Sequence, residues 1–211
     1  MSKTRLLVLG LAGLALAACG PVHPGAAAVV DGSRIAMSDV DDVAAVYCAA
    51  SASEGQASEG AQAGVDAIGL RRQAMADLLA GKVADQIAQE RDYDITTPRV
   101  SDQDRAQLET IFGDDVDDAV ALVERNQRTS AIVIEMAREQ NPAVQDEQQL
   151  LQVGQGLLGE AVADRDIEVD PRFGLDDTLQ QISENGSLSV ASISLDATAV
   201  EDRPVALQCT A

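Results

Sequence analysis

The chain has 211 residues and a net charge of −20 at neutral pH, with 35 acidic residues against 15 basic ones. A protein this acidic is repelled by phosphate groups, which argues against nucleic acid as a partner. Aromatic residues make up only 2% and tryptophan is absent, so there is little material for a site that stacks bases or sugars.

The chain begins with a segment that resembles a bacterial lipoprotein signal. Lys3 and Arg5 precede an apolar run of 11 residues from Leu6 to Leu16, and Ala17-Ala18-Cys19 follow it. A helix needs about 20 residues to cross a bilayer, so the run is too short to predict a permanent span. The resemblance implies cleavage before Cys19 and lipid on its thiol. The alternative is a plain secretory signal with an incidental cysteine.

This signal predicts the domain organisation and the location of the protein. Residues 1–18 are the signal peptide, residues 19–26 a short tether, and residues 27–211 a single domain. Removal of the signal leaves a charge of −22, because it carries two basic residues and no acidic one. We therefore expect an extracytoplasmic protein that is held on the cell membrane by lipid on Cys19 and not by electrostatic attraction.

Two further cysteines remain once Cys19 is lipidated. Cys48 and Cys209 form an even pair in a compartment where disulfides persist, so we expect them to be bonded to each other. The alternative, two buried free thiols, stays open at this point. No C-x-x-C spacing suggests a metal site.

The domain opens with a strand–turn–strand pattern from Ala27 to Ile35. Asp31-Gly32 supplies the positive φ angles that a tight hairpin turn needs. A helix follows, for which Ser38 and Asp41 suggest a capping-box-like start. Its apolar face is predicted to carry Val40, Val43 and Tyr47.

The next residues predict a loop and then a long helix. Residues 51–64 are small, polar and nearly repetitive, which favours a mobile loop. A helical pattern runs from about Val65 to Tyr93. Its buried face is predicted to be the ridge Met75, Leu79, Val83 and Ile87.

Three further helices are predicted before the chain changes character. Ser101 starts a short helix that carries Leu108, Ile111 and Phe112, and residues 144–164 form the last helix. Between them, residues 114–140 form a long helix. The predicted stripe of this long helix is Val116, Val120, Val123, Ile134 and Ala137.

The C-terminal part favours strands. Ile167 and Val169 alternate with polar residues, and Leu188 with Val190 begins a second β-like run. Strands at both ends of a helical chain commonly meet in one sheet, which would also bring Cys48 close to Cys209. We therefore expect an α+β fold, mainly helical, with a helical bundle and a small terminal β-sheet.

Two blocks of this sequence resemble the N-terminal domain of SurA-type extracytoplasmic chaperones. The first is residues 27–35 followed by Ser38-Asp39-Val40. The second is residues 70–79 with Asp94-Ile95-Thr96 and Val100-Ser101-Asp102. The similarity covers roughly residues 27–140. Residues 170–174 and 188–190 are also similar to the closing segment of short actinobacterial lipoproteins that carry this domain.

One departure from that family limits what the resemblance implies. Members that isomerise prolyl bonds carry an inserted parvulin domain, and no such block is present here. The resemblance therefore implies the helical domain, which in the family binds unfolded or translocating chains, without isomerase activity. We expect holdase binding of unfolded exported proteins. The alternative is a structural or adaptor lipoprotein that docks to one envelope partner.

No catalytic, cofactor or metal site is predicted. His23 is the sole histidine and lies in the tether, so a histidine-dependent triad cannot be assembled. Asp114-Asp115 and Asp117-Asp118 lack the spacing of a calcium loop and suit the start of a helix. Ser38 and Ser101 are interpreted as helix caps rather than nucleophiles, and Met75 and Phe112 as core. The chain is therefore not expected to be an enzyme.

Overall fold

The expected α+β, mainly helical fold is confirmed. A computed structural model describes residues 24–57, 66–175 and Cys209, with side chains omitted at 54–57. In chain order the elements are β1 (Ala26–Val30), β2 (Ser33–Ala36), α1 (Met37–Ala57), α2 (Ala67–Glu90), α3 (Asp102–Phe112), α4 (Val116–Gln140), α5 (Glu147–Ala163) and β3 (Ile167–Val169). Short 3-10 turns occupy Gly113–Asp115 and Pro171–Phe173.

The predicted hairpin and the meeting of the two chain ends are both present. Asp31 and Gly32 have φ angles of 48° and 76°, as a two-residue hairpin turn requires. Strand β3 pairs antiparallel with the other side of β1, so the sheet order is β2-β1-β3. Every residue of β1 is buried, because the central strand is covered by its neighbours and by the helices.

The domain begins slightly earlier than predicted. Ala26, assigned to the tether, pairs with Ala36 in the sheet. The Gly25 carbonyl accepts a hydrogen bond of 2.9 Å from the Met37 amide, which fixes the chain where it enters the domain. Residues 19–23 of the predicted tether, which include Cys19 and His23, lie outside the described residues, as do residues 188–195.

The predicted cap at Ser38 is wrong. Strand β2 runs directly into α1, so the helix begins at Met37 and Ser38 is already inside its first turn. Instead, the side chain of Asp39 accepts a hydrogen bond from the Ala36 amide at 3.4 Å and so stabilises the start of the helix. The predicted cap at Ser101 is confirmed, because its hydroxyl accepts from the Asp104 amide at 3.1 Å.

The predicted loop over residues 51–64 is wrong in its first half. Helix α1 continues to Ala57, and residues 58–65 lie outside the described part of the chain. The Ser53 hydroxyl donates to the Ala50 carbonyl at 2.7 Å, so this polar group is hydrogen-bonded within the helix. Small polar residues did not signal a loop here, because alanine-rich sequence also suits a helix.

Helix α2 is the centre of the bundle and carries the ridge predicted for it. Met75, Leu79 and Val83 are completely buried and Ile87 is nearly so. The helix packs against α1, α4 and α5 and also reaches β1. The hydrophobic core therefore lies around α2, with the sheet covering one end.

The buried side of α4 differs from the predicted stripe. Ala137 is buried as predicted, but Val116, Val120, Val123 and Ile134 are only half-buried. The buried side chains are Ala119, Leu122, Ile132, Val133, Met136 and Ala137. Helix α4 carries apolar residues on more than one side, so spacing alone did not identify the side that faces the core.

Candidate binding groove

Three apolar residues of α4 that are only partly buried, Val123, Ala131 and Ile134, line an open groove of about 750 Å³. We call it the α4 groove. It lies between α4 and residues 94–98 and reaches the start of α5. Its apolar residues are Ile95, Pro98, Val123, Ala131 and Ile134, and its polar residues are Asp94, Thr96, Asn126, Gln127, Ser130, Glu135, Arg138 and Glu147.

The groove follows one side of α4 from Val123 to Arg138. Val123, Gln127, Ser130, Ile134 and Arg138 succeed one another at intervals of three or four residues. Side chains at this spacing form one continuous helix face. This face alternates apolar groups with hydrogen-bonding groups, and both kinds are needed to hold an extended peptide.

The opposite wall of the groove is held in place by Arg128. Its Nε donates to Asp85 Oδ1 of α2 at 2.8 Å. Its Nη1 donates to the Ile95 carbonyl at 3.1 Å and to Thr97 Oγ1 at 3.2 Å. One half-buried guanidinium therefore joins α2, α4 and the wall segment, so that the groove is a formed site and not a gap beside a free loop.

Two further contacts fix the ends of this wall. At its start, the Tyr93 hydroxyl donates to Glu139 Oε2 at 2.6 Å, beside the Arg91–Glu139 ion pair. Burial first, and then this hydrogen bond, raise the pKa of Tyr93 above its ordinary value. At its end, the Val100 amide donates to Glu124 Oε1 at 3.1 Å. Both ends of the wall are therefore attached to α4.

The charges around the groove do not cancel. Glu135 and Arg138, one turn apart on α4, form an ion pair with each other. Within the described part of the chain, no basic side chain forms an ion pair with Asp94 or Glu147. The groove therefore presents two carboxylates beyond its own internal pair.

A second, more polar cavity of about 600 Å³ lies at the junction of the hairpin turn, α2 and α5. Arg165 lines it and makes ion pairs with both Asp31 and Glu90. Since these charged groups satisfy one another, the arrangement ties three elements together rather than offering a reactive group.

The Tyr47 hydroxyl likewise has a structural role. It donates to Asp77 Oδ2 at 2.5 Å and so joins α1 to α2. Burial is the main cause that raises the pKa of Tyr47, and the Asp77 hydrogen bond adds to it. The phenol therefore stays protonated at neutral pH and acts as a hydrogen-bond donor.

The predicted cysteine pair lies together. Cys48 of α1 and Cys209 are at disulfide distance, with Cα atoms 5.4 Å apart across 161 residues of chain. This pair brings the end of the chain back to the first helix. The lipid-attachment residue Cys19 lies outside the described residues.

The acidic residues at the start of α4 are helix-terminal, as interpreted from the sequence. Asp114 and Asp115 lie in the 3-10 turn, and Asp117 and Asp118 in the first turn of α4. Among the described residues, no group of three or more histidine, cysteine or acidic side chains is placed to hold a metal ion. Nor is any helix within the described ranges both long and apolar enough to cross a membrane.

Comparison of the chain with family models, curated proteins and solved structures gave no match. The resemblance to SurA-type chaperones therefore stays a prediction.

The α4 groove was not predicted from the sequence, because Val123 and Ile134 were placed with Ala137 in one apolar stripe. One signal was available. Helix α4 has more apolar residues than a single packed face needs, and a surplus at helical spacing marks a second apolar face.

Proposed function

We propose that this protein is a membrane-anchored extracytoplasmic lipoprotein that holds unfolded exported proteins, without isomerase activity. The observation that supports the proposal is the α4 groove. It has an apolar floor and hydrogen-bonding edges, and no other described part of the chain covers it. The resemblance of residues 27–140 to a chaperone domain favours the same role.

The chemistry of the groove suits an extended, apolar polypeptide segment. Val123, Ala131 and Ile134 offer surface whose burial against a client is favourable. Asn126, Gln127 and Ser130 can donate to and accept from the backbone of that client. Such contacts depend little on the exact client sequence, as holding many different proteins requires.

An aggregation assay with an unfolded envelope protein tests the proposal. The wild-type protein is expected to suppress aggregation at near-stoichiometric ratios. The double variant Val123→Ser/Ile134→Ser should lose most of this activity, because it makes the floor of the groove polar.

A matched control is available elsewhere on the protein. Ile111 of α3 and Val153 of α5 are exposed, at 49% and 37%, and lie outside the groove. Ile111→Ser/Val153→Ser therefore makes the same two chemical changes elsewhere and should keep full activity. Equal loss in both double variants would contradict a role for the groove.

The adaptor function is the second candidate, and the fixed wall of the groove favours it. A groove held by Arg128 and Glu124 has a defined shape, which suits one partner as well as many clients. Absence of aggregation suppression, together with one tightly bound envelope protein after crosslinking in intact cells, would support the adaptor and overturn the holdase.

The lipid anchor is tested by the variant Cys19→Ala. We expect release of the protein from the membrane fraction, because a body with a charge of −22 has no electrostatic affinity for anionic lipid. Mass spectrometry should find acyl chains on Cys19 of the wild type. An unmodified Cys19 in membrane-bound wild-type protein would contradict the anchor.

A further inference from the structure

The rim of the α4 groove carries more acidic than basic side chains among the described residues. Asp94 lies on the wall segment and Glu147 at the start of α5, so the two carboxylates mark two separate parts of the rim. Within the described residues neither is paired with a base. Among the described residues that line the groove, Arg138 is the one basic side chain, and it already forms an ion pair with Glu135.

The rest of the protein reinforces this local charge. At a net charge of −20, the average field around the chain repels acidic segments and attracts basic ones. An apolar client segment with acidic neighbours would therefore meet unfavourable charge both at the rim and at a distance. A segment with basic neighbours would meet favourable charge in both places.

We infer that the α4 groove selects extended apolar segments that are flanked by lysine or arginine. The apolar part of the segment lies along Val123 and Ile134. The basic flanks lie at the carboxylates of Asp94 and Glu147. This inference rests on the proposed function and specifies the class of client that the groove takes.

Two fluorescein-labelled peptides test the inference on the full-length protein. Both carry the same core of leucine, valine and alanine, flanked by lysines in one and by glutamates in the other. At low ionic strength the lysine-flanked peptide is expected to bind at least about fivefold more tightly, because two rim-exposed ion pairs are gained. Added salt should reduce the difference.

Two double variants assign the preference to the groove. Asp94→Asn/Glu147→Gln should bring the two peptide affinities close together while peptide binding itself persists. Asp114→Asn/Asp118→Asn removes the same net charge at exposed positions that do not line the groove. This control should retain the preference of the wild type.

The outcomes separate this inference from the proposed function. One outcome is that both peptides bind equally and that Val123→Ser/Ile134→Ser weakens the binding of both. The groove would then hold clients without a charge preference, so that the inference is overturned and the proposed function is retained. A loss of preference in the Asp114→Asn/Asp118→Asn control would also overturn it, because overall charge would then be the cause. If neither peptide binds, both the inference and the holdase function are overturned.

Discussion

Gly154 is the position at which a single side-chain atom decides the packing of two helices. It is buried on α5, and a β-carbon placed on it would lie 2.1 Å from the carbonyl oxygen of Val133 on α4. Backbone cannot yield as the end of a flexible side chain can. The close approach of α4 and α5 therefore depends on the absence of a side chain at this residue.

Gly154→Ala is expected to destabilise the protein by about 1–3 kcal/mol, since α5 must move away from α4 to admit the methyl group. Urea denaturation of the purified protein measures the change.

Gly156→Ala is the matched control, because no atom lies within 4 Å of the β-carbon that it would add. Alanine at this exposed helical position should raise stability by about 0.5–1 kcal/mol. Equal effects of the two substitutions would show that the crossing of α4 and α5 is looser than described.

Arg165 acts between elements rather than within one. Its guanidinium contacts Glu90, at the end of α2, through two hydrogen bonds of 2.8 and 2.9 Å. It also contacts Asp31 of the hairpin turn at 3.0 Å, and the turn is further bonded to Asp166 through backbone. The hydrogen bonds from Arg165 are the main cause that lowers the pKa of Glu90 below its ordinary value.

Arg165→Gln is expected to cost about 1 kcal/mol of stability at neutral pH, since the pair with Glu90 is partly exposed to solvent. A depressed carboxyl pKa stabilises the fold above the unfolded-state value and loses that contribution as the pH falls through the folded-state value. The difference in stability between wild type and Arg165→Gln should therefore shrink as the pH falls below the ordinary glutamate pKa of 4.5.

Thermal denaturation over a series of pH values measures this dependence. Arg105→Gln is the control, because its pair with Asp117 is exposed and joins only neighbouring helices. It should change stability less than Arg165→Gln does. The stability difference between wild type and Arg165→Gln could instead stay constant into strongly acidic solution. This result would show that Glu90 is not the titrating partner.

The contrast between α2 and α4 shows which parts of the fold could be predicted from the sequence. The Asp31-Gly32 turn, the cap at Ser101 and the ridge of α2 depend on local chemistry or on one strong apolar face, and all three are confirmed. The packed side of α4 depends on where four other helices lie. That information is not local, so Val123 of the groove was predicted to share one apolar stripe with the buried Ala137. The start of α1 was misplaced for a different reason, because β2 leads directly into the helix and Ser38 already lies in its first turn.

At the scale of the whole molecule, late parts of the chain are joined to early parts in two ways. Strand β3 closes the sheet against β1, and Cys209 returns to Cys48 on α1. On the chain-entropy view, a bond that closes a loop this long restricts the unfolded chain strongly. The sheet and the cysteine pair therefore both stabilise contact between early and late parts of the sequence.

Thiol labelling of the denatured, unreduced protein is expected to find neither Cys48 nor Cys209 free, and both should label after reduction. Cys48→Ser/Cys209→Ser should then lose up to about 5 kcal/mol of stability on the chain-entropy model. Stoichiometric labelling of both cysteines before reduction would contradict the bond.

The sheet order β2-β1-β3 also constrains when this protein can fold. Asp31 and Arg165 are 134 residues apart in sequence, yet they meet beside the sheet. During synthesis the central strand β1 has only its hairpin partner β2 until residues 167–169 have followed. Contacts between residues so far apart form late and slowly. The sheet of the described residues can therefore be completed only after β3 has been synthesised, and until then β1 has one edge without a partner strand.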